Sequence, residues 1–188
     1  LPRNLDEATR TMERSELVAD LLARNRMLDE SLAIFAEADS LFPGEFTRQK
    51  AALHETRFEY ELATKEYLHY LESNPSSLSY VEGKLMRIGE SEGGLQGVID
   101  RVSRAAKAYE ARAKLPEYSD SMDSIFYRKL LGDLHLEAGN HAGAAEQYLR
   151  LAEESPTQFS SLIVFGKRCQ TDGAYDAAIR VFQHIVDK

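Results

Sequence analysis

A 34-residue echo constrains this chain more than any other feature of its sequence. Gly132, Gly139, Ala144, Ala145, Tyr148 and Leu151 recur as Gly166, Gly173, Ala178, Ile179, Phe182 and Ile185, each 34 residues further on. A period of this length marks an array in which each unit is too small to bury its apolar face alone and stacks on a neighbour. The residue types suit two short helices packed side by side. Tyr148 and Leu151, three apart, share one helix face, and Gly132 and Ala144 are small where backbones approach. Gly139 before Asn140 can take the positive φ that reverses the chain. Pro156 has no amide hydrogen to donate and so ends the second helix.

With Leu131-Gly132, the turn Gly139, Ala144, the aromatic Tyr148 and the closing Pro156, the stretch 131–156 resembles the tetratricopeptide repeat (TPR) family. Arg128 stands where that family carries a bulky aromatic residue, and His135 where it carries Tyr. The resemblance implies an all-α fold: a right-handed α-α superhelix, a TPR-like solenoid of about five helical hairpins running through 1–188 as a single array.

The rest of the chain is expected to hold the other members. Apolar residues at Leu5, Ala8, Met12, Leu17, Val18, Leu21 and Leu22 space a first helix, with Asn4 as its N-cap. A polar turn at 24–26 leads to a second stripe, Leu28, Leu32, Phe35, Ala38 and Leu41, stopped by Pro43-Gly44. Phe35 precedes Pro43, and Tyr67 precedes Pro75, by the same interval as Tyr148 precedes Pro156. The repeats are placed at about 12–43, 44–77, 78–124, 125–158 and 159–188. The second has its first helix near 47–57, with Ala51, Ala52 and His54 inward, and must turn near 58–61 without glycine. The third is degenerate: a helix ended by Gly89 and the Gly93-Gly94 pair, a long one over 95–114, and an insertion at 115–123. The chain starts at Leu1 and stops short of the position where a counterpart of Pro156 would fall, so a fragment of a longer protein is expected.

Composition narrows the function classes. Hydrophobic residues make up 43% and charged residues 29% of the 188, the balance of a folded soluble chain. A net charge of -8 opposes non-specific binding to phosphate backbones and anionic membranes, so no nucleic acid partner is expected. The longest apolar run near the end, Leu162 to Phe165, is far short of the roughly 20 residues that span a bilayer, so no membrane insertion is expected. Cys169 is the single cysteine and can form no internal disulfide. It leaves the compartment, cytoplasmic or periplasmic, open.

No residue set reads as catalytic. Gly89-Glu90-Ser91-Glu92-Gly93 spells the pattern of a nucleophile elbow, but that elbow requires a preceding strand, and every periodic segment here is helical. The five histidines lack the spacing and the cysteine company of a metal site. Cys169 sits on an inward helix face, where inert burial is expected. No enzyme, no metal and no cofactor is expected.

What remains is a surface. In the TPR family the first helices of successive repeats line a concave groove that takes a peptide or a partner helix. Alignment places Phe126, Lys129, Asp133, Leu136 and Glu137 there, followed by Ser160, Ile163, Lys167, Gln170 and Thr171; Arg48, Ala52 and Glu55 are the counterparts in the second repeat. Some chaperone-binding members grip a C-terminal carboxylate with Lys and Asn. Lys129 fits that clamp, but Asp133 stands where Asn belongs and would repel the ligand. The expected function is a non-catalytic protein-protein interaction module that binds a partner peptide or helix, with Phe126, Leu136 and Ile163 as anchors. The alternatives are a scaffold or self-association segment of a larger multi-repeat protein, or a regulatory domain of an enzyme lying outside the fragment.

Overall fold

The computed structural model describes residues 5–113, 125–155, 157 and 159–187. Among them the fold is all-α, with ten α-helices, one short 3-10 turn and no strand. Asn4, Lys114, Pro156 and the insertion at 115–123 lie outside the described residues. The chain divides into two compact units, Leu1–Ser77 and Leu78–Lys188.

The first unit holds α1 (Leu5–Arg24), α2 (Leu28–Leu41), α3 (Thr47–Thr56), α4 (Tyr60–Ser73) and the 3-10 turn Pro75–Ser77. α1 packs on α2, α2 on α3 and α3 on α4. Phe35, Ala38, Phe46 and Leu53 form the core with Ala19 of α1, and the Phe35 and Phe46 rings meet at 5.2 Å. The stripe expected along α1 does not go inward as a whole: Leu17, Val18 and Leu21 are exposed, while Ala19 is fully buried. A small residue lets α2 come close enough for the buried Ser31 hydroxyl to donate to the Ala19 carbonyl at 2.8 Å. In α3 Ala51 and Leu53 are buried, whereas Ala52 and His54 are only half-buried. Lys50 bridges Asp39 at 2.5 Å and Glu66 at 3.2 Å. Burial alone would lower its pKa, but the bond to Asp39 and the charge of Glu66 outweigh it and raise the pKa.

The two turns without glycine resolve in the same way. Arg26 and Phe58 adopt φ of 62° and 60°, the left-handed conformation that costs an L-residue about 1–2 kcal/mol. Gly139 and Gly173 hold the corresponding position in the second unit, at 72° and 74°. The chain reversal is therefore conserved in geometry across turns of different residue type.

The second unit holds α5 (Leu78–Ser91), α6 (Gln96–Ala113), α7 (Ile125–Glu137), α8 (His141–Glu154), α9 (Phe159–Thr171) and α10 (Tyr175–Val186). Consecutive helices pack in pairs, and α5 also meets α7, while α8 meets both α9 and α10. The 34-residue echo is visible as packing. A methyl on Gly132 would lie 3.0 Å from the Tyr148 ring, and one on Gly166 would lie 2.9 Å from Val181 and 3.0 Å from the Phe182 ring. Asn140 caps α8 by accepting from the Gly143 amide at 2.9 Å. Arg128, the departure from the family pattern, binds Glu154 at 2.6 Å and Glu110 at 3.1 Å, joining α7 to α8 and α6. Ser91 ends α5 and donates to the Arg87 carbonyl at 3.0 Å, so it occupies a helix terminus and not an elbow after a strand.

Candidate functional site

Within the second unit a cleft of about 380 Å³ opens between α7 and α9, with α8 at its floor. From α7 it is lined by Lys129, Asp133 and Leu136, one helical face at i, i+4, i+7. From α9 come Ser160, Ser161, Val164, Phe165 and Arg168, and from α8 comes Tyr148.

The floor is rigid for reasons that can be followed atom by atom. The Tyr148 ring lies against Gly132, where the missing side chain makes room for it. It stacks on Phe165 at 4.6 Å with the planes 19° apart, a geometry worth about 0.5–1.5 kcal/mol beyond burial. Its hydroxyl donates to Asp133. The other Asp133 oxygen accepts from the Lys129 ammonium at 2.9 Å. Burial, and then the Asp133 charge, push the Tyr148 phenol far above its ordinary range, so it stays a neutral donor. In the first unit the Tyr67 hydroxyl donates to Glu55 of α3 at 2.6 Å.

Charge is unevenly distributed along the cleft. At the α9 end Arg168 binds both oxygens of Asp172 through Nε, at 3.1 and 2.9 Å, and His141 reaches the same carboxylate at 3.2 Å. His141, and then Arg168, hold the Asp172 carboxyl below its usual range. Outside the cleft lining, Glu82 of α5 is half-buried. Desolvation raises its pKa first; the Asp133 and Glu137 charges raise it further, and Lys129 opposes them. Cys169 is fully buried in α9, and burial pushes its thiol up to about 11, far from the thiolate a reactive cysteine needs. Among the described residues no group of three or more His, Cys, Asp or Glu could hold a metal ion. No helix among them is long and apolar enough to cross a membrane.

Of the ten residues expected in the groove, the cleft brings together Lys129, Asp133, Leu136 and Ser160. Phe126 is 7% exposed. Its ring sits 5.4 Å from Tyr109 and 4.7 Å from Tyr127, so it is a core residue and offers no anchor. Glu137, Lys167, Gln170 and Thr171 are exposed and Ile163 is half-buried, all outside the cleft lining. On α9 the lining is displaced by one residue from expectation: Val164 and Arg168 face the cleft where Ile163 and Lys167 were placed. Two neighbouring helices show opposite flanks to the space between them, so copying the α7 positions onto α9 lands on the wrong flank. Val164, 67% exposed, is the residue this rule misses. The run Leu162 to Phe165 wraps most of the helix circumference, so its periodicity cannot say which member faces out. In the first unit Arg48 is exposed, and Ala52 and Glu55 are half-buried.

No protein-family model matches this sequence, and no curated protein is significantly similar to it.

Proposed function

We propose that the chain is a TPR-like helical array, a right-handed solenoid of about five hairpins, that binds a peptide segment or helix of another protein and catalyses nothing. The observation that carries this reading is the cleft itself. An exposed aliphatic residue, Val164, and the half-buried Leu136 flank a rigid stacked floor of Tyr148 and Phe165, with polar groups along both walls. This is the composition of a recognition groove: apolar area at the centre and a few fixed polar groups to set register. The Lys129–Asp133 pair argues against capture of a terminal carboxylate, because the ammonium is already held and an anion would face Asp133. The test is binding by the whole chain of partners captured from the source cell. Leu136→Asp and Val164→Asp should each weaken it at least about tenfold, the scale of a buried anchor. Lys167→Ala should leave it unchanged. Wild-type binding by both Asp variants refutes the groove.

A second reading, self-association, has its own observation. Ile179 and Val186 of α10 are 54% and 83% exposed, while their counterparts Ala145 and Ala152 of α8 are 1% and 7% exposed, buried in the core that α9 and α10 build. The face that a following hairpin covers on α8 is open on α10. A following hairpin of a longer chain or a second copy of this chain would cover it, and light scattering that shows a dimer dispersed by Ile179→Glu would establish the second copy over a monomeric groove.

A further inference from the structure

The first and last helices both present apolar side chains to solvent, and the two surfaces have complementary shapes. In the first unit α1 and α2 leave a groove of about 280 Å³, with Arg14 and Val18 on the α1 wall and Ile34, Ala38 and Leu41 on the α2 wall. Val18 and Leu41 are exposed, and so is Leu21, three residues beyond Val18 on the same row. Apolar walls on two helices take an amphipathic helix whose anchors recur at i, i+4 and i+7. α10 is such a helix. Tyr175, Ile179, Phe182 and Val186 fall at i, i+4, i+7 and i+11 along one stripe. Tyr175, Ile179 and Val186 are exposed, and the Phe182 ring, against Gly166, is half-buried. The charges match as well. Among the described residues Arg14 has neither an ion pair nor a hydrogen bond, and Asp176 and Asp187, on the flank beside the α10 stripe, have no ion pair. Opposite charges of this kind fix register and orientation more than they add affinity.

The 34-residue echo bears on what covers α10. Ile179 and Val186 stand where α8 has Ala145 and Ala152, which are buried in the core that α9 and α10 build. Small residues there let the next hairpin approach closely. A hairpin seated the same way on α10 would meet longer, branched side chains, whereas side chains that project suit insertion into a groove. We propose that α10 of one copy of the chain lies in the α1–α2 groove of another, with Ile179 and Val186 against Val18, Ile34 and Leu41 and with Arg14 facing a carboxylate of the α10 flank. The proposal rests on the self-association reading above and names the surface that receives α10. The two surfaces differ, so the contact is heterologous. Each added copy leaves one groove and one α10 open, and assembly continues past the dimer unless it closes into a ring.

Sedimentation velocity of the whole chain over a concentration series tests this. The wild type should grow from monomer through dimer to larger species. Val18→Glu blocks the groove and Ile179→Glu blocks α10, and each alone should weaken association at least about tenfold, the scale of a lost anchor. Mixed in equal amounts, the two variants should form a dimer of one copy of each and stop there. The intact α10 of the first fits the intact groove of the second, and both remaining surfaces are blocked. Val18 and Ile179 are exposed, so circular dichroism should show both variants folded; Leu41→Glu takes the place of Val18→Glu if that variant unfolds. Two results overturn the proposal and leave self-association through α10 standing: assembly that Ile179→Glu abolishes and Val18→Glu does not touch, or folded variants that are each monomeric and give no mixed dimer. A wild type that stays monomeric, or assembly that Ile179→Glu leaves intact, removes the self-association reading together with the proposal.

Discussion

Single glycines test the packing argument, because the same substitution has opposite signs at different places in one fold. Gly83 lies within α5, and a methyl there would meet nothing within 4 Å. Gly83→Ala should therefore stabilise by about 1 kcal/mol, the helix-propensity difference. Gly166 gains the same propensity, but its methyl would press on Val181, which is fully buried and cannot yield. Overpacking of this kind costs about 1–3 kcal/mol, so Gly166→Ala should lower the urea midpoint while Gly83→Ala raises it. Equal shifts would refute the close approach. Glu82 supplies a pH test at the same scale. Its folded pKa lies above the unfolded value of about 4.3. Between the two the folded state binds more protons, so stability falls as pH rises through that window, and the penalty is fully present at pH 7. Glu82→Gln should melt higher than the wild type at pH 7, and the gap should close near pH 4. A gap that persists at pH 4 would show that the gain comes from something other than the charge.

At the level of elements, the turns separate what the sequence makes legible from what it hides. Gly139 and Gly173 announce their reversals, because a left-handed residue is free only for glycine. Arg26 and Phe58 take the same conformation without any such signal, and only the apolar stripes on either side require a turn there. Arg26→Gly should stabilise by about 0.5–1 kcal/mol and raise the denaturation midpoint, since relief of the left-handed strain exceeds the entropy that glycine adds to the unfolded chain. Phe58→Gly should be nearly neutral, because the same relief is offset by losing the edge contact with Tyr60, 6.1 Å away. Matching gains at both sites would show that the aromatic contact contributes nothing. The buried aromatic positions, Phe35, Tyr67 and Tyr148, are readable from one interval before a proline. The cleft lining on α7, Lys129, Asp133 and Leu136, is reached through the family resemblance, and its counterpart on α9 is not. The raised pKa of Glu82, outside the cleft lining, is unreadable, since a glutamate on a helix is ordinarily solvated and only α5–α7 packing brings it into the field of Asp133.

For the molecule as a whole, the net charge of -8 gives the two functional readings opposite responses to salt. Two copies of the chain meeting at α10 join through apolar residues, Ile179 and Val186, while their like charges repel across the interface. Raising ionic strength from about 0.1 M, where the Debye length is about 10 Å, to 1 M, where it is about 3 Å, screens that repulsion and leaves the apolar term intact. Self-association should therefore tighten with salt. A cationic segment entering the α7–α9 cleft is drawn by the negative field of the chain, and that attraction is screened. Its affinity should fall over the same range, mainly through a slower on-rate, while dissociation, governed by the apolar contacts with Leu136 and Val164, changes less. A salt series followed by sedimentation for the chain alone, and by stopped flow with a bound cationic peptide, separates the two signs. Peptide binding that strengthens with salt would place its driving force in apolar contact alone. Self-association that weakens with salt would move the interface away from α10 to a charged face.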